Sequence, residues 1–247
     1  MTSLTAHISR SALAGNAASA LANGDGVADL RRDAWGHGLP LVAEVLAAAG
    51  VRAAVVDEAD RAALTAAGLT AVAEPTIDGA LLFGLPGSGG MPVLRLSARV
   101  LSIKSLRRGE GVSYGYTHRA ASDTRVALVD GGYGQGLPRA IGNAVSVEIG
   151  GGLHPLVGRI AMDVCVVDIG DSAVGVGVGD EVVYFGGSPS PRDCNGAPRQ
   201  RADPAVSASP CSLAVNGGVA GWAVASGLSA AEIVCGIGLH TTRVDAA

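Results

Sequence analysis

The chain has 247 residues and a net charge of −4, with no basic stripe on any segment, which excludes nucleic acid as a partner class. Hydrophobic residues make up 48%, enough for one large or two modest domains, yet no apolar run approaches the roughly 20 residues of a membrane span. Aromatics are only 3% and glycine fills 37 positions, so the core must be built from Ala, Val and Leu between many tight turns.

The opening stretch lacks a basic start and a compact apolar centre. Its residues Leu4, Ile8, Ala12 and Leu13 recur at helical spacing, so it reads as helical structure and not as a signal peptide, and the chain reads as cytoplasmic. Residues 39–49 carry the apolar spacing of a helix ended by Gly50, 51–56 form a short apolar strand, and 58–67 a second helix ended by Gly68. Residues 69–73 are apolar again, completing the strand–helix–strand pattern of a parallel α/β layer. The glycine-rich run 84–90 breaks the composition and closes a first unit, 1–90.

A second unit, 91–247, has a different texture. Short β-rich runs at 93–103, 125–129, 144–149, 156–160, 164–169 and 180–184 alternate with turns at Gly109, Gly131–Gly132 and Gly150–Gly152, the pattern of an antiparallel barrel or sandwich. Residues 186–210 are rich in Ser, Pro, Arg and Asp without an apolar period and read as a disordered loop. A helix at 216–226 and a last strand at 231–234 complete the unit. Cysteines 165, 194, 211 and 235 form no close CxxC pair, so no metal or redox site is indicated; Cys165 and Cys235 read as core residues of strands.

Three passages of the second unit carry specific motifs: Gly111-Val112-Ser113-Tyr114-Gly115, Gly132-Tyr133-Gly134-Gln135-Gly136-Leu137-Pro138-Arg139, and Gly158-Arg159-Ile160-Ala161-Met162-Asp163. In this order they resemble the SYG, GYADG-x-PR and GR-x-x-MD motifs of the C-terminal domain of alanine racemase. Asp33-Ala34-Trp35-Gly36-His37-Gly38 resembles the family's DAYGHG segment, and 77–85 the end of its barrel. The resemblance implies a two-part α+β chain. A truncated α/β remnant of TIM-barrel type over 1–90 precedes an antiparallel β-barrel of alanine racemase C-terminal type over 91–247. A full (β/α)8 barrel takes about 250 residues, and only some 90 precede the β domain here.

The family reaction interconverts L- and D-alanine with pyridoxal phosphate, for cell-wall precursor supply. By resemblance Tyr114 is the acid/base tyrosine that one subunit lends to its partner, and Tyr133 lines the substrate entrance. Met162 is the residue whose backbone helps to hold the substrate carboxylate. Trp35 and Ala231 stand where the family has phosphate-contacting tyrosines, and Gln135 where it has an aspartate. The lysine that holds the cofactor is replaced by Arg31. A guanidinium stays protonated at ordinary pH and cannot bond covalently to the cofactor aldehyde. The chain's single lysine, Lys104, precedes the turn Arg107-Arg108-Gly109 and reads as a solvated strand residue. The expectation is therefore a racemase-family isomerase, catalytically impaired, forming a homodimer or a heterodimer with a full-length alanine racemase. The alternatives are a non-catalytic partner that docks its β domain on a full-length racemase, and a degenerate paralogue.

Overall fold

The computed structural model describes residues 4–23, 26–171, 175–186 and 218–246. It opens with strand β1, Thr5–Ser9, where the expectation was helix. The reason is that Leu4 and Ile8 satisfy a period of two as well as one of four: with Ala6 they form one fully buried strand face. Ser9 then starts helix α1, Arg10–Ala20, its hydroxyl accepting from the Ala12 N–H at 3.2 Å.

Strand β2, Val27–Asp29, leads into the single helical turn α2, Arg31–Trp35, and helix α3, Leu39–Ala48. Strand β3, Ala53–Val55, helix α4, Arg61–Ala66, and strand β4, Thr70–Ala71, follow. These three strands form a parallel sheet in the order β2-β3-β4, with Val27 opposite Ala53 and Ala53 opposite Thr70. α3 is buried through Val42 and Leu46 and packs against α1 and α4. The short helix α5, Gly79–Leu82, capped by Asp78, ends the α/β part.

The β-rich part begins with the 13-residue strand β5, Leu94–Leu106, then the small hairpin β6, Gly111–Val112, and β7, His118–Arg119. Strands β8, Thr124–Asp130, β9, Ser146–Ile149, β10, Gly152–Val157, β11, Val164–Asp168, and β12, Glu181–Phe185, complete it. They pair in the order β12-β9-β10-β11-β8-β5, and β12 pairs back onto β5, so six antiparallel strands close a barrel. β5 can serve β12 and β8 together because it changes register between Val100 and Ser102, a bulge that bends the strand. β1 extends this sheet antiparallel to β5. The loop expected at 186–210 lies, from residue 187 onward, outside the described residues.

Helix α6, Val219–Ser226, is followed by helix α7, Ala230–His240, and strand β13, Thr242–Ala246, which pairs parallel with β1. The strand expected at 231–234 is thus the first turn of a helix. Its cause is a capping box: the Ser229 hydroxyl accepts from the Glu232 N–H at 3.2 Å, and the Glu232 carboxylate accepts from the Ser229 N–H at 2.7 Å. Cys235 accordingly sits half-buried on α7, whereas Cys165 is buried in β11 as expected. Trp222 of α6 caps the barrel end, meeting Tyr184 and Phe185 edge-on at 6.0 and 5.2 Å between ring centres. Among the described residues no single helix is long and apolar enough to cross a membrane.

Candidate functional site

The segment after β2 has an unusual backbone. Arg32, Asp33, Ala34 and Trp35 all take φ between 52° and 55°, so α2 is a left-handed turn. Such a turn costs about 1–2 kcal/mol per residue, and the surroundings offset that cost. One Asp33 carboxylate oxygen accepts from the Leu39 N–H at 2.7 Å, and the other pairs with Arg243 of β13. Arg243 also donates to the Gly36 carbonyl at 3.1 Å. Gly36 and Gly238 of α7 approach so closely that a Cβ on Gly238 would lie 2.2 Å from the Gly36 oxygen.

This clamped turn projects Arg31 and Trp35 toward α7. Arg31 and Trp35, with Asp29, Asp57 and Ala231, line a cavity of about 560 Å³. Arg31 is not free within it: Nε lies 2.9 Å and Nη2 2.6 Å from the two Asp29 carboxylate oxygens. The Arg31 guanidinium holds the Asp29 carboxyl below the ordinary carboxylate range against the opposing effect of burial, and the Trp35 side chain adds to it. Asp57 accepts from the Arg32 N–H at 2.7 Å. Trp35 leans on Phe83, ring centres 5.3 Å apart, and His37 stacks on Phe83 at 4.3 Å. His37 is fully buried, and burial pushes its imidazole down to about 4.

A second cluster forms in the β domain. Tyr114, Tyr133 and Met162 are all exposed, at 46%, 39% and 57%. Arg139 brings the two tyrosines together: its Nη2 donates to the Tyr114 hydroxyl at 2.9 Å while its guanidinium lies over the Tyr133 ring at 5.4 Å. The Tyr114 hydroxyl donates in turn to the Ile160 carbonyl at 3.2 Å, and Arg159 lies over the Tyr114 ring at 5.6 Å. Met162 joins through its backbone, its carbonyl accepting from the Gly134 N–H at 2.8 Å. Gln135 caps this turn: its side chain accepts from the Gly132 N–H at 3.0 Å and donates to Asp163 at 3.0 Å.

The structure therefore gathers Tyr114, Tyr133 and Met162 on one face, and Arg31 and Trp35 around a separate cavity. Arg139 and Arg159 were not singled out for a role in the sequence, although both stand in the quoted motifs. Their signal was a cation spaced to reach a tyrosine, which only the folded turns reveal. Among the described residues no three His, Cys, Asp or Glu side chains gather to hold a metal ion.

A closed antiparallel barrel carrying the SYG, GYxxG and GRxxMD turns on one face, joined to an α/β part, is the architecture of a racemase-type fold. The alanine racemase C-terminal domain family matches residues 93–200, the β domain of this chain. An alanine racemase of Corynebacterium efficiens is 43% identical over 115 residues, 44% of this chain and 31% of that protein. One of Mycobacterium tuberculosis is 41% identical over 125 residues, 47% of this chain and 33% of its own. The chain thus spans about a third of the length of the curated relatives it matches.

The whole fold is similar to solved alanine racemases at low identity. That of a D-cycloserine-producing Streptomyces lavendulae superposes with a TM-score of 0.74 at 18% identity, covering 100% of this chain and 98% of that one. The Bartonella henselae enzyme, solved with covalently bound pyridoxal phosphate, gives 0.73 at 15% identity and covers 100% of both chains.

Proposed function

We propose that this chain is a racemase-family protein that does not itself racemise and works as a non-catalytic partner in the cytoplasm. Its β domain presents Tyr114, Tyr133 and Met162 to the barrel of a full-length alanine racemase. The observation that carries this reading is the contrast between its two ends. The tyrosine face is assembled and exposed, with the Tyr114 hydroxyl oriented by Arg139 at 2.9 Å. At the other end the Arg31 guanidinium is spent on Asp29, and the reading takes Arg31 as standing where the family has its cofactor lysine.

The residues present do not fit pyridoxal phosphate held in the family's manner. Arg31 supplies no amine for a covalent bond, and Ala231 brings no hydroxyl to a phosphate. Lys104 lies in β5, away from the Arg31 cavity lining. What its own residues offer is a phenol held in place at Tyr114, able to exchange a proton with a group that another barrel brings to it.

The test is co-expression of this chain with a full-length alanine racemase. A stable mixed complex should form and should be weakened by Tyr133→Ala, and its D-alanine output should fall on Tyr114→Phe. Strict self-association in the presence of the racemase sinks the partner reading. D-Alanine formation by this chain alone, with pyridoxal phosphate added, overturns the non-catalytic one.

A further inference from the structure

Lys104, the only lysine of the chain, lines a cavity of about 310 Å³ that also receives Tyr114 and Arg159. The cavity lies between the hairpin β6–β7 and the outer faces of β5, β8 and β11. Strand alternation explains its chemistry. On β8 and β11, Ala127, Val129, Cys165 and Val167 face the barrel core, which turns Val126, Leu128, Val164 and Val166 outward into this space. Val112 of the hairpin covers them, and a small separate apolar cluster of Val112, Val126 and Val157 forms beneath.

Two positive charges stand on these apolar walls. The Lys104 ammonium makes no hydrogen bond or ion pair among the described residues, and Arg159 lies over the Tyr114 ring without a carboxylate partner among them. Among the described residues no Asp or Glu lines the cavity, although the chain as a whole carries a net charge of −4. An apolar concavity of this size with a few polar groups at its wall has the form of a small-ligand site. Its charge selects an anion, and its walls select an anion with a hydrocarbon body.

We propose that this cavity binds a small amphipathic monocarboxylate, the chain packed on Leu128, Val164 and Val166 and the charge neutralised by Lys104 and Arg159. The site differs from the Arg31 cavity and does not depend on docking to a racemase.

The probe is octanoate, added to the whole chain and followed by titration calorimetry and by trinitrobenzenesulfonate labelling of Lys104, read by peptide mass. Octanoate should bind once per chain and slow the labelling. Octan-1-ol should bind roughly tenfold more weakly, having no charge to offer. Lys104→Gln should weaken octanoate about two- to fivefold, the effect of one exposed ion pair. Leu128→Trp, which fills the cavity, should abolish binding; if that variant does not fold, Lys104→Gln and the labelling still decide. Unsaturable binding, equal affinity for octan-1-ol, or labelling untouched by octanoate overturns the proposal. So does labelling that falls with protein concentration alone, which would mean that a second copy covers the cavity.

Discussion

Arg31 closes on Asp29 two residues upstream through three bonds: Nε at 2.9 Å, Nη2 at 2.6 Å, and the Arg31 backbone N–H at 3.2 Å. This fork holds the arginine that the proposed reading sets at the family's lysine position. Restoring the lysine should therefore not restore chemistry. In Arg31→Lys the ammonium would face the same carboxylate, which keeps it protonated and so not nucleophilic. The variant, supplied with pyridoxal phosphate, should form no D-alanine in a coupled assay. Its stability should change by no more than about 1 kcal/mol, because the pair is largely exposed on the arginine side. D-Alanine formation would show that the lysine was the one missing part.

His37 gives the fold a pH dependence. Its Nδ1 lies 3.1 Å from the Ala34 and Trp35 carbonyls, acceptors both, so Nδ1 carries the proton and donates. Nε2 is buried without a partner among the described residues, and protonating it would place an unpaired charge beside Phe83. The folded state holds this imidazole at about 4 against 6.5 for the free group. Between those values the unfolded chain binds more protons, so the full stabilisation is present above about pH 6.5 and is lost as pH falls toward 4. That lowering corresponds to roughly 3 kcal/mol. Urea denaturation at pH 7.5 and pH 5 should show the loss, and His37→Gln should flatten it. His7, lowered by burial and then by Arg95, adds a slope of the same sign, so the comparison is between variant and parent.

The barrel was legible in the sequence because each of its strands is a short apolar run bounded by glycine turns. Five of the six runs at 93–184 correspond to β5, β8, β9, β11 and β12, whereas the run at 156–160 meets β10 only at Leu156 and Val157. The tyrosine face was legible through its motifs. The opening and the close were not. Leu4 and Ile8 fit two periods at once, and β1 is chosen by β5 and β13 on either side of it, residues about 90 and 235 positions away. The cavity that Lys104 lines was also hidden, because it depends on a hairpin folding over the outside of the barrel.

The run at 231–234 was misread for a local reason, and a substitution can show it. Ser229 and Glu232 exchange two backbone bonds that start α7. Ser229→Ala should cost about 1 kcal/mol, and Ser229→Asp, which can cap equally, far less. Thermal denaturation of the two variants separates loss of the cap from a general intolerance of change at 229.

The left-handed turn at Arg32–Trp35 depends on contact with α7 at Gly238. A Cβ there would meet the Gly36 oxygen at 2.2 Å and the Gly36 Cα at 2.8 Å, both backbone atoms that no rotamer can move. Gly36 cannot retreat, since its carbonyl is held by Arg243 and its own φ is +79°. Gly238→Ala should therefore destabilise by about 1–3 kcal/mol, although alanine is the better helix former by about 1 kcal/mol. Gly236, on the same helix, has nothing within 4 Å of an added Cβ. Gly236→Ala should accordingly stabilise slightly. The opposite signs of the two variants in chemical denaturation test whether α7 seats on the turn as described. Equal effects would mean that the turn is held without it.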